Sequence, residues 1–310
     1  MTENAIEVQR LSKHYGNLCA VDNISFNVKK GEFFGFLGPN GAGKTTTIRM
    51  LTGIIKPSSG QISIMGYDIQ RETLKARKLM GIVPEVSNAY IDLSAWRNMI
   101  FQGELYGLAR NQVLDSASYL LKDFGLYDRK DQLVKFFSKG IRQRLIICLA
   151  LLSKPEIIFL DEPTAGLDIQ STAIIREKLR LINKNGTTIF FTTHNMEEAN
   201  RLCERVAIIN RGKIAAIDTP ERLKLTIKRL QIVQVSFDRP VKLELPVDLQ
   251  GVSRVEKAGD KINLHTDSPG EVICKIVDYA RRERLSIVTL NVLTPTLEEV
   301  FLSLTEGEEN

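Results

Sequence analysis

One loop, residues 38–45, constrains this chain more than any other feature of its sequence. The apolar run from Phe33 to Leu37 precedes the loop and predicts a buried strand, and the periodicity from Thr45 to Gly53 predicts a helix after it. Glycines in such a loop let the backbone curl until several N–H groups point at one anion, and the helix contributes the positive end of its dipole. Strand, loop and helix together predict a phosphate-binding loop. A glycine-rich turn with a chance lysine is the alternative, which this context disfavours.

The loop fits the Walker A pattern GxxxxGK[ST], which is typical of P-loop NTPases. We expect Lys44 to neutralise the β- and γ-phosphates of a bound nucleoside triphosphate and the Thr45 hydroxyl to ligate Mg²⁺. The residues expected to surround the nucleotide here are Gly38, Pro39, Asn40, Gly41, Ala42, Gly43, Lys44, Thr45 and Thr46. The loop alone does not say which kind of NTPase this is.

Two acids end a second apolar run. Ile157 to Leu160 predict a buried parallel strand, and Asp161 and Glu162 follow at its carboxyl end, where ligands bind in doubly wound sheets. We expect Asp161 to hold Mg²⁺ and Glu162 to polarise the attacking water as general base. A surface acid pair that ends a core strand is the alternative.

The order of the remaining motifs resembles that of the ATP-binding cassette (ABC) ATPases. Residues 137–144 begin a predicted apolar helix, stand shortly before Asp161 and look like a variant of the LSGGQ signature. The segment from Ala165 to Asp168 resembles the D-loop, and His194 after an apolar strand resembles the switch histidine. Tyr15 stands where the family stacks an aromatic ring on adenine.

The resemblance implies a role for each of these residues. Ser138 and Gly140 would cap the γ-phosphate of the ATP bound to a partner subunit in a head-to-tail homodimer, and Asp168 would lie along that dimer interface. His194 would sense the γ-phosphate and act in catalysis together with Glu162 and Lys44.

Two positions depart from the family pattern. Glu85 stands where the family has the Q-loop glutamine, so it is a third candidate Mg²⁺ ligand beside Thr45 and Asp161, although it adds negative charge near the triphosphate. Lys139 replaces the first glycine of the signature. It would place a cation near the γ-phosphate or point into solvent.

The patterning along the chain predicts an α/β fold, and the resemblance to the ABC ATPases implies a P-loop NTPase of the cassette type. Residues 1–225 are expected to form the cassette, with an antiparallel β subdomain, a parallel-sheet core and a helical insertion at about 86–153. Alternation followed by two helical stretches predicts a small C-terminal α+β domain at 226–310.

The chain end resembles one branch of the family. The stretch from Pro295 to Phe301 is similar to the ending of the ATPase subunits of ABC-2-type exporters, including the daunorubicin-resistance type. The resemblance implies a homodimer on the cytoplasmic face of the cell membrane, docked beneath a separately encoded integral-membrane permease. The candidate docking residues are Tyr90 to Phe101, among which Trp96 is as easily a core residue.

Other functions stay open at this point. A soluble ABC protein that acts on ribosomes or DNA would show two cassettes or a long coiled coil, and a P-loop kinase or GTPase would lack the signature. An ABC ATPase with a soluble regulatory role, whose C-terminal domain senses a small ligand, is the remaining alternative. The sequence does not reveal the cargo.

Composition argues against several classes of protein. No run approaches the roughly 20 apolar residues of a bilayer helix, and the N-terminus lacks the apolar core of a signal peptide, so we expect a soluble chain. The four cysteines show no CxxC spacing, which favours a reducing cytosol. Net charge is +5 overall, and the first 225 residues carry the positive excess. No basic stripe interleaved with aromatics is present, so no nucleic-acid partner is expected.

Overall fold

A computed structural model of the protein describes residues 3–86, 88–225, 231–240, 251–293 and 295–306. The chain divides into two compact units, Met1–Thr219 and Pro220–Asn310. This division lies before the predicted boundary at residue 225. The difference is one helix, α8 (Pro220–Leu225), which packs against α10 (Leu297–Glu306) within the C-terminal unit.

The first unit begins with an antiparallel sheet. Its described strands follow the order β2-β1-β4-β5 and are β1 (Asn4–Tyr15), β2 (Leu18–Lys29), β4 (Ser59–Ile64) and β5 (Tyr67–Asp68). Alternate residues of β1 and β4, among them Ile6, Val8 and Ile64, are buried on one face of this sheet. This is the expected antiparallel β subdomain.

A larger sheet forms the centre of the first unit. Its described strands follow the order β10-β9-β3-β8-β7-β6 and are β3 (Phe33–Leu37), β6 (Met80–Val83), β7 (Ile157–Asp161), β8 (Thr188–Thr193), β9 (Arg205–Asn210) and β10 (Lys213–Asp218). All pairs are parallel except β9 with β10. Every residue of β3, β7 and β8 is buried, as expected for central strands of a parallel sheet. The carboxyl ends of these three neighbours therefore meet at one edge.

Helices connect these strands. They are α1 (Lys44–Leu51), α2 (Thr73–Arg77), α3 (Ala95–Leu105), α4 (Arg110–Asp123), α5 (Lys139–Leu151), α6 (Ile169–Lys184) and α7 (Met196–Leu202), with short 3-10 helices at Tyr127–Arg129 and Val134–Phe136. The predicted helical insertion is the group α3, α4 and α5, which pack on one another. Side-chain caps fix where α3, α5 and α6 begin, since Ser94, Ser138 and Asp168 each accept an N–H from the first turn.

Aromatic rings fill the space against the central sheet. Phe190 on β8 lies between 5.5 and 6.1 Å, centroid to centroid, from the rings of Phe26, Phe34, Phe36 and Phe159. The four strands that carry these rings are thereby packed into one core. This core supports the sheet edge at which the predicted site residues lie.

The C-terminal unit is a second α+β fold. Its described strands follow the antiparallel order β12-β13-β11-β14 and are β11 (Gln231–Phe237), β12 (Val252–Ala258), β13 (Lys261–Thr266) and β14 (Ile287–Leu293). Helix α9 (Pro269–Arg282) covers one face, where Val272 and Ile276 pack with Val233, Val235 and Leu264. The small α+β domain expected from the sequence is thus present. Among all described residues, no helix combines the length and apolar character needed to cross a bilayer.

Candidate nucleotide-binding site

The phosphate-binding loop joins β3 to α1 and depends on its glycines. Gly41 and Gly43 have φ angles of 81° and 109°, in the left-handed region that favours glycine. A Cβ on Gly38 would lie 2.3 Å from the carbonyl oxygen of Ile209, and one on Gly43 would lie 2.6 Å from that of Ala20. Any side chain at either position would displace the neighbouring backbone. The loop therefore keeps its curled shape because β2 and β9 press on it from behind.

Lys44, the first residue of α1, is buried and folds back over the loop. Its ammonium donates to the carbonyl oxygens of Gly38 at 2.8 Å and Pro39 at 3.0 Å. It also lies 3.2 Å from the Glu162 carboxylate oxygen Oε1. A buried ammonium with these partners is directed at the space enclosed by the loop. This is the position required of a cation that binds phosphate.

Glu162 follows β7 directly and lies between two predicted catalytic residues. Its side chain is 8% exposed, with one oxygen near Lys44 and the other, Oε2, 2.8 Å from Nδ1 of His194. A carboxylate oxygen only accepts hydrogen bonds, so Nδ1 of His194 carries the hydrogen in this contact. The backbone of Glu162 has a φ of 49°, which a residue with a side chain rarely adopts, and its N–H donates to the Thr192 carbonyl oxygen at 3.2 Å. The fold thus brings Lys44, Glu162 and His194 together.

Asp161 ends β7 and is 3% exposed. The hydroxyl of Thr192 on the neighbouring strand donates to its Oδ1 at 2.7 Å and fixes the carboxylate. Hydroxyl and carboxylate oxygens from Thr45, Asp161 and Glu85 are the hard donors that Mg²⁺ prefers, usually together with phosphate oxygens and water. In the described part of the chain, no three His, Cys, Asp or Glu side chains form a metal site by themselves. The chemistry of these three donors therefore fits Mg²⁺.

A cavity of about 370 Å³ opens over the loop. Its lining residues are Tyr15, Leu18, Ala20, Asn40, Gly41, Gly43, Lys44, Thr45, Thr46, Glu85 and Glu162. Tyr15 is 47% exposed, so much of its ring is available for stacking. Gly38 and Ala42 are buried, and Pro39 is exposed.

The signature residues lie elsewhere, at the N-terminus of α5. The Ser138 oxygen accepts the N–H of Ile141 at 3.3 Å, and a Cβ on Gly140 would lie 2.1 Å from the Ser171 hydroxyl oxygen. The start of α5 is thus pressed against the start of α6. Neither Ser138 nor Gly140 lines the 370 Å³ cavity.

Asp168 caps α6 beside them. Its two carboxylate oxygens accept the backbone N–H and the hydroxyl of Ser171, each at 2.7 Å. These hydrogen bonds, the backbone one foremost, hold the pKa of the exposed Asp168 carboxyl below its ordinary value. One chain therefore presents two separate groups, Lys44, Glu162 and His194 in one, and Ser138, Gly140 and Asp168 in the other.

Several contacts were not predicted. Lys139 is exposed and does not line the loop cavity, and its ammonium donates to the Ala165 carbonyl oxygen of the D-loop segment at 2.7 Å. Glu198 on α7 is 1% exposed, accepts the Thr164 hydroxyl at 2.6 Å and pairs with Arg176 at 2.8 Å. These contacts could not be predicted from the sequence, because each joins residues that are distant in sequence and that only the fold brings together.

Comparison with known proteins agrees with this geometry. The family model described as "ABC transporter" matches residues 21–165, and the one described as "ATP-binding protein DrrA1-3-like, C-terminal domain" matches residues 219–305. The linearmycin resistance ATP-binding protein LnrL of Bacillus subtilis (strain 168) is 36% identical over 305 residues, which are 97% of this chain and 98% of that protein. The Nod factor export ATP-binding protein I of Paraburkholderia xenovorans (strain LB400) is 36% identical over 315 residues and 99% of each chain.

A solved structure extends the comparison to the fold. The dimeric structure of a post-hydrolysis state of the ATP-binding cassette MJ0796, bound to ADP and Pi, superposes with a TM-score of 0.64 at 25% identity. It covers 69% of this chain and 98% of that chain. The resemblance predicted from the motifs is thereby confirmed. This chain is an ATP-hydrolysing, ATP-binding subunit and belongs to the ABC transporter family.

Proposed function

We propose that two copies of this chain bind ATP head to tail and drive a separately encoded membrane permease as the ATPase of an exporter. The separation of the two residue groups carries the proposal. Lys44 and Glu162 line the cavity over the loop and His194 contacts Glu162, whereas neither Ser138 nor Gly140 lines that cavity. One chain would therefore supply only half of the expected cage around ATP. The linearmycin-resistance and Nod-factor-export names of the relatives support export. The same proposal places the dimer at the cytoplasmic face of the membrane.

The loop side of the site would bind and hydrolyse ATP. Lys44 would exchange the carbonyl oxygens of Gly38 and Pro39 for phosphate oxygens, which carry more negative charge. Thr45, Asp161 and Glu85 would hold Mg²⁺, which neutralises phosphate charge when bound. Glu162 would accept the proton of the attacking water.

His194 and the signature would complete the site. The hydrogen bond from Nδ1 of His194 fixes the orientation of the Glu162 carboxylate. Ser138 uses a lone pair to cap α5, so its O–H proton is left to donate to an anion. Together with the backbone N–H groups at the start of α5, Ser138 would contact the γ-phosphate held by the partner subunit.

The dimer is tested directly by its dependence on nucleotide. ATP with Mg²⁺ should convert the purified chain to a dimer, measured by light scattering after size exclusion, and ADP should not. A chain that hydrolyses ATP but stays monomeric in every nucleotide state would exclude the composite site.

Glu85→Gln is expected to preserve ATP binding. Glu85 is exposed, and an exposed charge contributes about 1 kcal/mol or less, so the Kd for ATP should stay within about fivefold. Isothermal titration with ATP and Mg²⁺ measures the Kd. Glu104→Gln is the control, because Glu104 is also exposed but lies on α3. Loss of binding in Glu85→Gln would instead make Glu85 an essential metal ligand.

An exposed apolar patch on the helical insertion suits the permease. Tyr90, Ile91 and Phe136 are 50%, 48% and 66% exposed, and the Lys135 N–H donates to the Ile91 carbonyl oxygen at 2.9 Å, which places Ile91 beside Phe136. Trp96 is only partly exposed, and the Lys130 ammonium lies 5.6 Å from its ring centroid. Large exposed apolar side chains that lie together mark interaction sites. We therefore place the docking surface at Tyr90, Ile91 and Phe136.

Phe136→Glu is expected to weaken permease binding by about tenfold or more, because a charge replaces an apolar anchor at the centre of an interface. Co-purification of the chain with the membrane protein encoded beside it measures this loss. Leu74→Glu is the matched control, since Leu74 is 76% exposed on α2, outside the patch. Equal recovery of both variants would move the docking surface elsewhere.

A further inference from the structure

We infer that Lys139 is a positioning residue, which ties the start of the signature helix α5 to the turn that carries the general base of the same subunit. The inference rests on the proposed function, in which Glu162 is that base. The Lys139 ammonium donates to the Ala165 carbonyl oxygen at 2.7 Å, and the Ala165 N–H donates to the Glu162 carbonyl oxygen at 3.1 Å. Ala165 therefore links the Lys139 side chain to the backbone of Glu162 through two hydrogen bonds.

The turn after Glu162 is one that an added anchor would stabilise. Glu162 itself has a φ of 49°, and Gly166 has a φ of 66°, so the turn contains two left-handed residues. Besides the bond from Ala165, the Leu167 N–H donates to the Thr164 carbonyl oxygen at 3.2 Å. Glycine adopts this conformation readily, whereas a left-handed residue with a side chain, such as Glu162, persists only where surrounding contacts determine it. Lys139 supplies such a contact from another element.

The Lys139 ammonium is exposed and lies beside Gly166. A Cβ on Gly166 would lie 2.7 Å from the Lys139 nitrogen, so glycine at this position leaves the space that the ammonium occupies. Gly140, the next residue after Lys139, is pressed against Ser171 and fixes the start of α5 on α6. Lys139 therefore reaches the turn from a fixed base. A glycine in its place, as in the family pattern, could not make this contact.

This contact gives Lys139 a role different from that of a phosphate ligand. Its charge-assisted hydrogen bond is directed at the backbone of its own subunit. In the head-to-tail dimer the start of α5 would meet the nucleotide of the partner. Lys139 would then link the occupancy of the partner's site to the position of Glu162 in its own subunit.

Kinetics of three variants test the inference. Lys139→Met should lower kcat about tenfold, since a charge-assisted hydrogen bond is lost, and leave the Kd for ATP within about twofold. Lys139→Arg, which keeps the charge and donors, should retain at least about half of the wild-type kcat. Lys75→Met, which removes another surface ammonium paired with Glu72, is the matched control and should match the wild type.

The outcomes separate the alternatives. An unchanged kcat in Lys139→Met would overturn the inference, and so would a loss that lies wholly in ATP affinity, which would indicate a phosphate ligand. Failure of Lys139→Arg to restore kcat would also contradict it. An inactive wild-type chain would instead contradict the proposed function.

Mixed dimers with differently tagged subunits test whether the effect stays within one subunit. When Glu162→Gln is in one subunit and Lys139→Met in the other, the remaining intact Glu162 lacks its own lysine, and turnover should fall. When both changes are in the same subunit, turnover should equal that of a mixed dimer with Glu162→Gln alone. The reverse pattern would show that Lys139 acts on the partner's nucleotide.

Discussion

Glu162→Gln is expected to lower steady-state ATP turnover by at least about 100-fold, because glutamine cannot accept the proton that a general base removes. The substitution keeps the shape of a side chain that is 8% exposed between Lys44 and His194. ATP binding should therefore persist, and the ATP-bound dimer should accumulate because it no longer hydrolyses its nucleotide. Phosphate release measures the turnover, and size exclusion with ATP and Mg²⁺ measures the dimer.

Glu156→Gln provides the matched control for this variant. Glu156 is exposed directly before β7, at the end of that strand opposite Glu162, so its amide should leave turnover unchanged. Wild-type turnover in Glu162→Gln would remove Glu162 from the role of general base. Loss of both turnover and ATP binding would assign it to nucleotide binding instead.

Lys44→Met is expected to raise the Kd for ATP by about 10- to 100-fold, since each hydrogen bond to a charged group is worth about 1.5 to 3 kcal/mol. Methionine retains much of the length of the lysine side chain and loses its charge. Titration with ATP and Mg²⁺ measures the affinity. Lys213→Met is the control, because Lys213 is 64% exposed, pairs with Asp22 and does not line the cavity over the loop.

The same variant should also destabilise the nucleotide-free chain. Without Lys44, the Glu162 oxygen Oε1 is left buried and unpaired, which costs about 1 to 3 kcal/mol of unfolding free energy. Adding Glu162→Gln removes the buried charge and should recover part of this loss, as measured by chemical denaturation of both variants. An unchanged Kd and an unchanged stability in Lys44→Met would together contradict the contacts described for the ammonium.

The central architecture was predictable because local signals agreed with one another. Three short apolar runs lead into the loop glycines, into Asp161 and into the threonines before His194, as expected of parallel strands with a functional carboxyl edge. The site residues could be assigned to that edge from motif order alone. Their roles in catalysis and Mg²⁺ binding stay predictions, to be tested by the variants above.

Contacts that depend on packing between distant helices were not predictable. Nothing in the sequence around Lys139 indicates a partner at Ala165, because the contact exists only where α5 is pressed against α6 through Gly140 and Ser171. The five-residue helix α2 gave too little periodicity to identify. The unit boundary was missed for a similar reason, since the packing of α8 on α10 joins segments far apart in sequence.

The position of Lys44 has a consequence for selectivity. Its ammonium already contacts two carbonyl oxygens and a carboxylate of its own chain. Because these oxygens belong to the same chain, they compete with any incoming anion for the ammonium. An incoming anion gains only the difference between its own attraction for the ammonium and that of the internal oxygens. A small, singly bound anion gives a small difference, whereas a triphosphate that also engages the loop N–H groups gives a large one. The internal contacts of Lys44 therefore favour a triphosphate over small anions at this loop.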